Sequence, residues 1–373
     1  MVLSEAQSPA PGDPLRKGLT HALGFWAIAA PLWVLIGAAL RHKFALDFHY
    51  AYLPAAHAVL HSSSPYPTAY VPAVIGHDPF VYPPLSAYLL GPLSLLPTVA
   101  AEVIMAGLVA TAVPATLYVL GIRDWRCYAT AFLWWPTIIS IQSANITLPI
   151  VLGVALVWRY RDRRWVPALA TGLLVALKLF FCPLLVWLVA TRRYRSALLG
   201  AGASLLFVFA PWAGLGFGGL RQYPHLLTSL SRVDGPGSYS FAALLHLALP
   251  LGWAVATGIQ MVIGTGAVLL VIAVGRRRRE RDAMALTVLA ILLLTPLLEM
   301  QYFAMLLLIV CLYRRRLDVA WFVPLLTWGA ATDGPGGSTL QLVHVLVVAT
   351  ATVVLAMHRW RPRSVGWRRL EPA

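Results

Sequence analysis

Seven clusters of basic residues cut this chain into apolar blocks, and that alternation restricts its fold more than any other feature. The clusters are Arg16–Lys17, Arg123–Arg126, Arg159–Arg164, Arg192–Arg195, Arg276–Arg281, Arg314–Arg316 and Arg359–Arg369, and they hold 24 of the 29 lysines and arginines. The chain is 59% apolar and 12% charged, whereas soluble domains run about 45–50% apolar and 25% charged. One soluble core cannot hide that much apolar surface. A membrane crossing needs roughly 20 apolar residues, so 373 residues leave room for about 10–12 crossings. The fold expected is an all-α polytopic membrane protein. A net charge of +15 would suit a nucleic-acid partner, but here the charges bound apolar runs, as they do in cytoplasmic loops. The partners expected are membrane lipids and no nucleic acid. Cys127, Cys182 and Cys311 lie in or beside apolar runs, at no metal-binding spacing.

If all seven clusters lie in the cytoplasm, each intervening segment leaves and returns, so it holds an even number of crossings. Span 1 then covers 20–40 and span 2 covers 99–121, with an outer loop at 41–98 that carries short interfacial helices. Residues 127–158 make two short spans turning at Gln142–Asn145, and 165–190 make a shallow hairpin turning near Lys178. Span 7 covers 196–213, a second outer loop 214–250, and span 8 251–274. Two further pairs, 283–313 and 317–357, turn at Glu299–Gln301 and Asp333–Ser338. Residues 20–357 form one transmembrane domain between a disordered cytoplasmic tail, 1–19, and a basic one, 358–373. The apolar run Leu23–Leu40 is too long for a signal-peptide core and reads as an anchor that stays. The map carries a consequence that was not built into it. Nearly all remaining ionisable residues fall on the outer side, including Arg41, Asp47, Asp78, Lys178, Arg221, Arg232, Glu299 and Asp333. Ionisable groups at membrane depth are costly and usually functional. Hairpin tips carrying them describe a polar-floored basin in the outer leaflet.

Leu46 to Pro97 is the segment richest in candidate chemistry. Asp47 stands at the start of an expected helix, Phe48 to Leu60. It is either an N-cap or a general base that takes the proton of an attacking hydroxyl. Tyr82-Pro-Pro84 opens a helix too short to span, which suits the interface. His57 and His61 have metal-like i,i+4 spacing, but no partner motif accompanies them, so interfacial or sugar-bonding histidines are the stronger expectation. Lys178 sits alone in an apolar run that must turn. It either snorkels to the interface or meets an anion such as a lipid phosphate. Gly214–Gly219 follows a membrane span rather than a strand, so it is no dinucleotide site. The sequon Asn145-Ile-Thr147 is read as chance.

Four motifs together resemble a known family, the polytopic glycosyltransferases of the GT-C class and specifically glycosyltransferase family 87. They are Asp47-Phe-His-Tyr-Ala-Tyr-Leu-Pro with Ser64-Pro-Tyr66; Phe80-Val-Tyr-Pro-Pro-Leu85 with Gly91-Pro-Leu and Leu96-Pro97; Gln142-Ser-Ala-Asn145 with Lys178 and Arg192–Arg195; and Thr295-Pro-Leu297 with Tyr302. The second is the most specific. The family includes polyprenol-phosphate-mannose-dependent mannosyltransferases and a related arabinofuranosyltransferase.

The resemblance implies a GT-C-type bundle in the plasma membrane with an extracytoplasmic site. There a sugar, mannose favoured, moves from a polyprenyl-phosphate donor to a glycolipid or lipid-linked glycan acceptor, with inversion and without a cofactor or metal. Asp47 aligns with the catalytic base. Lys178, Arg41, Arg221 and Arg232 are the candidates for the donor phosphate. Tyr82, Gln142, Asn145, His49, Asp78 and Gln301 are the candidates for sugar or acceptor. One departure is local: Glu299 and Gln301 stand where the family often has an aromatic residue and a histidine, which touches acceptor recognition. The rival reading is a transporter or lipid flippase, which would place its ionisable residues near the midplane and often show repeated halves.

Overall fold

The computed structural model describes residues 14–67, 79–249, 251–330 and 338–358. Asp78, His77, Asp333 and most of both expected tails lie outside them. Among the described residues every element is helical, with 17 α-helices and no strand. In order they are α1 (Pro14–Leu40), α2 (Leu53–Leu60), α3 (Leu85–Leu90), α4 (Thr98–Val119), α5 (Trp125–Leu133), α6 (Trp135–Gln142), α7 (Thr147–Arg159), α8 (Trp165–Leu177), α9 (Pro183–Ala190), α10 (Tyr194–Gly214), α11 (Tyr223–Val233), α12 (Phe241–Ala248), α13 (Trp253–Arg276), α14 (Glu280–Leu294), α15 (Leu306–Tyr313), α16 (Val319–Phe322) and α17 (Thr339–Met357).

Five helices are long and apolar enough to cross a membrane: Thr20–Leu40 within α1, α4, α10, α13 and α17. These match the expected long spans within a few residues. The first helix begins at Pro14 rather than at 20, because proline suits a first helical turn. The remaining apolar helices are shorter, 10–17 residues, or form the pair α6 and α7, which meet at a bend of 119°. The expected hairpin at 127–158 is therefore a wide angle rather than two antiparallel rods. Its first limb is itself broken at Trp134, which is extended (ψ 127°) ahead of Pro136. Proline disfavours helix at the residue before it, but the break here falls two residues ahead, where α6 starts afresh with Pro136 in its first turn.

The short helices fill the centre and the long ones surround it. Trp134, Trp187 and Trp321 are fully buried, and Trp134 donates from its indole N–H to the Trp321 carbonyl at 3.0 Å. In lipid, such a donor has no water to fall back on. The lipid-facing surface of the long spans is apolar: Trp33, Leu198, Val262 and Val347 are all exposed. Close approach is arranged by glycine. A Cβ on Gly172 of α8 would lie 2.5 Å from the Cβ of Ala203 on α10, so the two backbones pack as small-residue interfaces do in membranes.

The bundle has two chemically distinct ends. α7 runs from beside Asn145 to Arg159, α8 from Arg164 to Lys178, and α14 from the Arg276–Arg281 cluster towards Glu299. Asn145, Lys178 and Glu299 therefore share one end and the arginines the other.

Candidate active site

The turn after α6 builds the site. Residues 143–146 reverse the chain with Ala144 at φ +52°, and two backbone bonds dock the first loop on it. Ala45 N–H donates to the Gln142 carbonyl at 2.6 Å, and Phe48 N–H to the Ser143 carbonyl at 3.3 Å. The Gln142 side chain adds a bond to the Lys43 carbonyl at 3.4 Å. These bonds flank Asp47 on both sides and fix its backbone.

Asp47 is not a helix cap. Its backbone is helical, its side chain makes no capping bond, and a π-helical turn, Phe48–Tyr52, follows it. Instead its carboxylate accepts from Asn145 Nδ2 at 2.5 Å. The orientation of that amide follows from its other bonds. Asn145 Oδ1 accepts from the Thr147 backbone N–H at 2.9 Å and from the Thr147 hydroxyl at 2.6 Å. A backbone N–H can only donate, so the oxygen must face Thr147 and the NH2 must face Asp47. Asn145 is 1% exposed. The sequon-like spacing Asn145-Ile-Thr147 is thus a side-chain clamp on Asp47.

The second half of the site is cationic. Lys178 ends α8 in an extended conformation, φ −147° and ψ 113°, between that helix and the 3₁₀ turn Leu179–Phe181. It is 4% exposed, so it does not snorkel. Its Nζ donates to the Tyr302 hydroxyl at 2.8 Å and lies 5.0 Å from the centre of the Tyr82 ring. Tyr82 stacks on Tyr52, 5.0 Å between centres and 13° between planes. The charges that act on Lys178 are the carboxylates of Glu299 and Asp47. Gln301, buried, donates to Glu299. An ammonium this buried needs anionic or aromatic neighbours to stay charged, and it has both.

Two neighbouring segments hold the Phe80–Leu85 motif in place. Tyr66 donates to the Tyr82 carbonyl at 2.7 Å, Tyr223 of α11 donates to the Val81 carbonyl at 2.9 Å, and Tyr66 stacks on Trp212 at 5.0 Å. The proline-rich stretch has few backbone donors of its own, so these tyrosines satisfy carbonyls that no helix uses. α3 and the following 3₁₀ turn, Gly91–Leu95, are too short to span.

The structure gathers Asp47, Tyr82, Gln142, Asn145, Lys178 and Gln301 around one polar centre at one end of the bundle. The other described candidates are exposed. His49 Nδ1 lies 2.5 Å from Glu102 of α4 and is exposed. Arg41 donates from Nε to the Gly37 carbonyl at 3.0 Å, at the end of its own helix. Arg221 and Arg232 are exposed, one before and one within α11, and neither is among the charges acting on Lys178. Asp78 lies outside the described residues. The rings of His57 and His61 lie 4.3 Å apart, tilted by 33°, and among the described residues no three His, Cys, Asp or Glu side chains converge as metal ligands would. Two contributors are not among the sequence candidates. Tyr52 is one more aromatic in an aromatic loop. Glu299 reads from the sequence either as a second carboxylate of the basin or as a polar tip residue, and the second reading is favoured.

The model of glycosyltransferase family 87 matches residues 80–298. That stretch includes the Phe80–Leu85 motif, Gln142, Asn145 and Lys178, and it ends just before Glu299. Comparison with curated proteins and with solved structures returns no match.

Proposed function

From this chain's membership of glycosyltransferase family 87, which makes it a membrane glycosyltransferase, we propose that it transfers a sugar, mannose favoured, from a polyprenyl-phosphate donor to a glycolipid or lipid-linked glycan, at the extracytoplasmic face of the plasma membrane. The observation that carries this reading is that an oriented carboxylate, Asp47, and a buried ammonium within reach of its charge, Lys178, share one end of a membrane bundle.

In this reading the acceptor hydroxyl loses its proton to an Asp47 oxygen as its oxygen bonds to the anomeric carbon. The bond from that carbon to the phosphate oxygen breaks, and the leaving lipid phosphate carries the electron pair. Attack opposite the leaving group inverts the centre. Lys178 meets the charge that develops on the phosphate, which a monophosphate leaving group needs and a metal need not supply. Electrostatic aid of this kind is strongest where water is excluded. Tyr82, backed by the buried Tyr52 stacked on it, offers an aromatic wall to the sugar. Gln301, held by Glu299, is the polar contact closest to the departure from the usual family motif, and we assign it to the acceptor side.

The test is transfer in membranes from mannose- and arabinose-loaded polyprenyl phosphates offered separately, wild type against Asp47→Asn. General-base loss lowers rates by about 10²–10⁴-fold, so the variant is expected to insert normally and lose transfer by that factor. Transfer surviving in Asp47→Asn would remove Asp47 from the reaction. Movement of the intact donor across the bilayer without transfer would favour the flippase instead.

A further inference from the structure

At the arginine end, away from the Asp47–Lys178 centre, the ends of five helices line an open cavity of about 690 Å³. Its walls come from Trp158 and Arg161, the Arg278–Asp282 turn between α13 and α14, Tyr313 and Arg314 after α15, and the exit of α17 at His358. The volume lies within the range of about 300–1,000 Å³ usual for small-molecule sites. Nothing in the transfer reaction uses it.

Its charge is unbalanced. Five arginines face two carboxylates, Glu280 and Asp282, and both carboxylates are already engaged. Glu280 pairs with Arg161 at 3.0 Å and with Arg193 at 2.9 Å. Asp282 pairs with Arg279 at 3.1 Å and accepts from the Tyr313 hydroxyl at 2.5 Å. Arg314 lies 3.3 Å from Asp318 and donates to the Leu355 carbonyl at 2.7 Å. Arg278 and Arg281 have no ion pair among the described residues, and Arg281 lies only over the Tyr313 ring, at 5.6 Å.

The depth of the cavity identifies what would balance it. α13 and α17 are both long enough to cross a membrane, and both end at this cavity, where hydrocarbon gives way to headgroups. Trp158 and Tyr313 are the aromatic types enriched at that level. Guanidinium forks match phosphate oxygens, and basic pockets between helix ends take anionic headgroups. We propose that this cavity binds the phosphate of an anionic phospholipid from the leaflet on the arginine-rich side, with Arg278 and Arg281 as its ligands. The acyl chains stay in the bilayer beside the helix ends.

The test is native mass spectrometry of the full-length protein in detergent, titrated with dioleoyl phosphatidylglycerol or with phosphatidylcholine of the same chains. Retention of phosphatidylglycerol and not of phosphatidylcholine is expected. Removing both Arg278 and Arg281 (to Ala) should weaken phosphatidylglycerol binding about 10-fold or more, as loss of charge-assisted hydrogen bonds to the phosphate requires. The control pair Arg163→Ala with Arg195→Ala removes the same charge from exposed positions at the same end; charges outside the cavity are screened by salt, so it should change binding less than about 3-fold. Equal retention of both lipids, or an equal loss in the control pair, overturns the site. Displacement of phosphatidylglycerol by inorganic phosphate at the same concentration overturns the lipid source in favour of a soluble phosphate compound. A circular dichroism spectrum unchanged from wild type shows that the variants are folded. No sugar donor is present, so the outcome is independent of the transfer reaction.

Discussion

At the scale of single residues, Asn145 is the side chain whose role the geometry defines most tightly. It spends its oxygen on Thr147 and its NH2 on Asp47, so it is a positioning residue for the proposed base. Asn145→Ala should lower kcat about 10-fold while leaving donor KM nearly unchanged, since misorientation of a reacting group is what it costs. Asn145→Asp should be worse than Ala, because two carboxylates at hydrogen-bond distance cannot both ionise freely. An Asp variant more active than the Ala variant would sink the positioning role. Lys178→Ala should raise donor KM by about 10-fold or more and acceptor KM little, as loss of one charge-assisted contact to phosphate requires; the reverse pattern in initial-rate kinetics would take Lys178 off the phosphate. Asp47 and Lys178 were legible in the sequence because a charge in an apolar setting has few innocent explanations. Tyr52 and Glu299 were not, because their partners, Tyr82 and Lys178, are distant in sequence and nothing local marks the pairing.

At the scale of elements, loops and helix contacts hold the short spans together. Asp124 caps α5 by accepting from Arg126 N–H at 3.2 Å, and its other oxygen accepts from Leu317 N–H at 3.2 Å. The Arg126 side chain hydrogen-bonds both oxygens at 2.9 Å and holds the carboxyl down to about 2. A depressed carboxylate stabilises the fold above its ordinary pKa and loses that contribution as pH falls towards the folded value. Asp124→Ala should therefore cost about 0.5–2 kcal/mol, the range for a lost cap. The gap in melting temperature between wild type and variant should stay level from about pH 5 to 8, above that window. A gap that shrinks between those pH values would mean that another group is responsible. Gly172→Ala tests the packing of α8 on α10. The added methyl would stand 3.0 Å from the Ala203 carbonyl carbon as well as against its Cβ. The helices must separate, at a cost of about 1–3 kcal/mol, measurable as a lower melting temperature in detergent. Breaks of this kind, and the 119° bend of α6 against α7, were only partly legible. The arginine clusters fix where a hairpin begins and ends, whereas the angle depends on which side chains meet between the limbs.

At the scale of the whole molecule, charge separates along the bundle axis. The arginine clusters occupy one end, and Asp47, Lys178 and Glu299 the other. The sequence showed this separation clearly because it rests on the order of charges and apolar runs, which needs no knowledge of packing. The direction we propose in the membrane follows from it: basic ends tend to stay in the cytoplasm, which would turn the proposed transfer site outward. Accessibility of single cysteines decides this. In a background with Cys127, Cys182 and Cys311 changed to Ser, His61→Cys lies in the first loop at the end of α2, and Arg163→Cys lies in the turn between α7 and α8. Both positions are exposed. An impermeant maleimide added to intact cells should label the His61 position and spare Arg163 until the membrane is opened. Labelling of Arg163 alone in intact cells would invert the molecule. The proposed site would then draw its donor from the cytoplasmic leaflet, and the anionic-lipid cavity would face the opposite one. Labelling of both in intact cells would show that the two ends do not lie on opposite sides of a membrane, contrary to the even-crossing rule from which the topology was built.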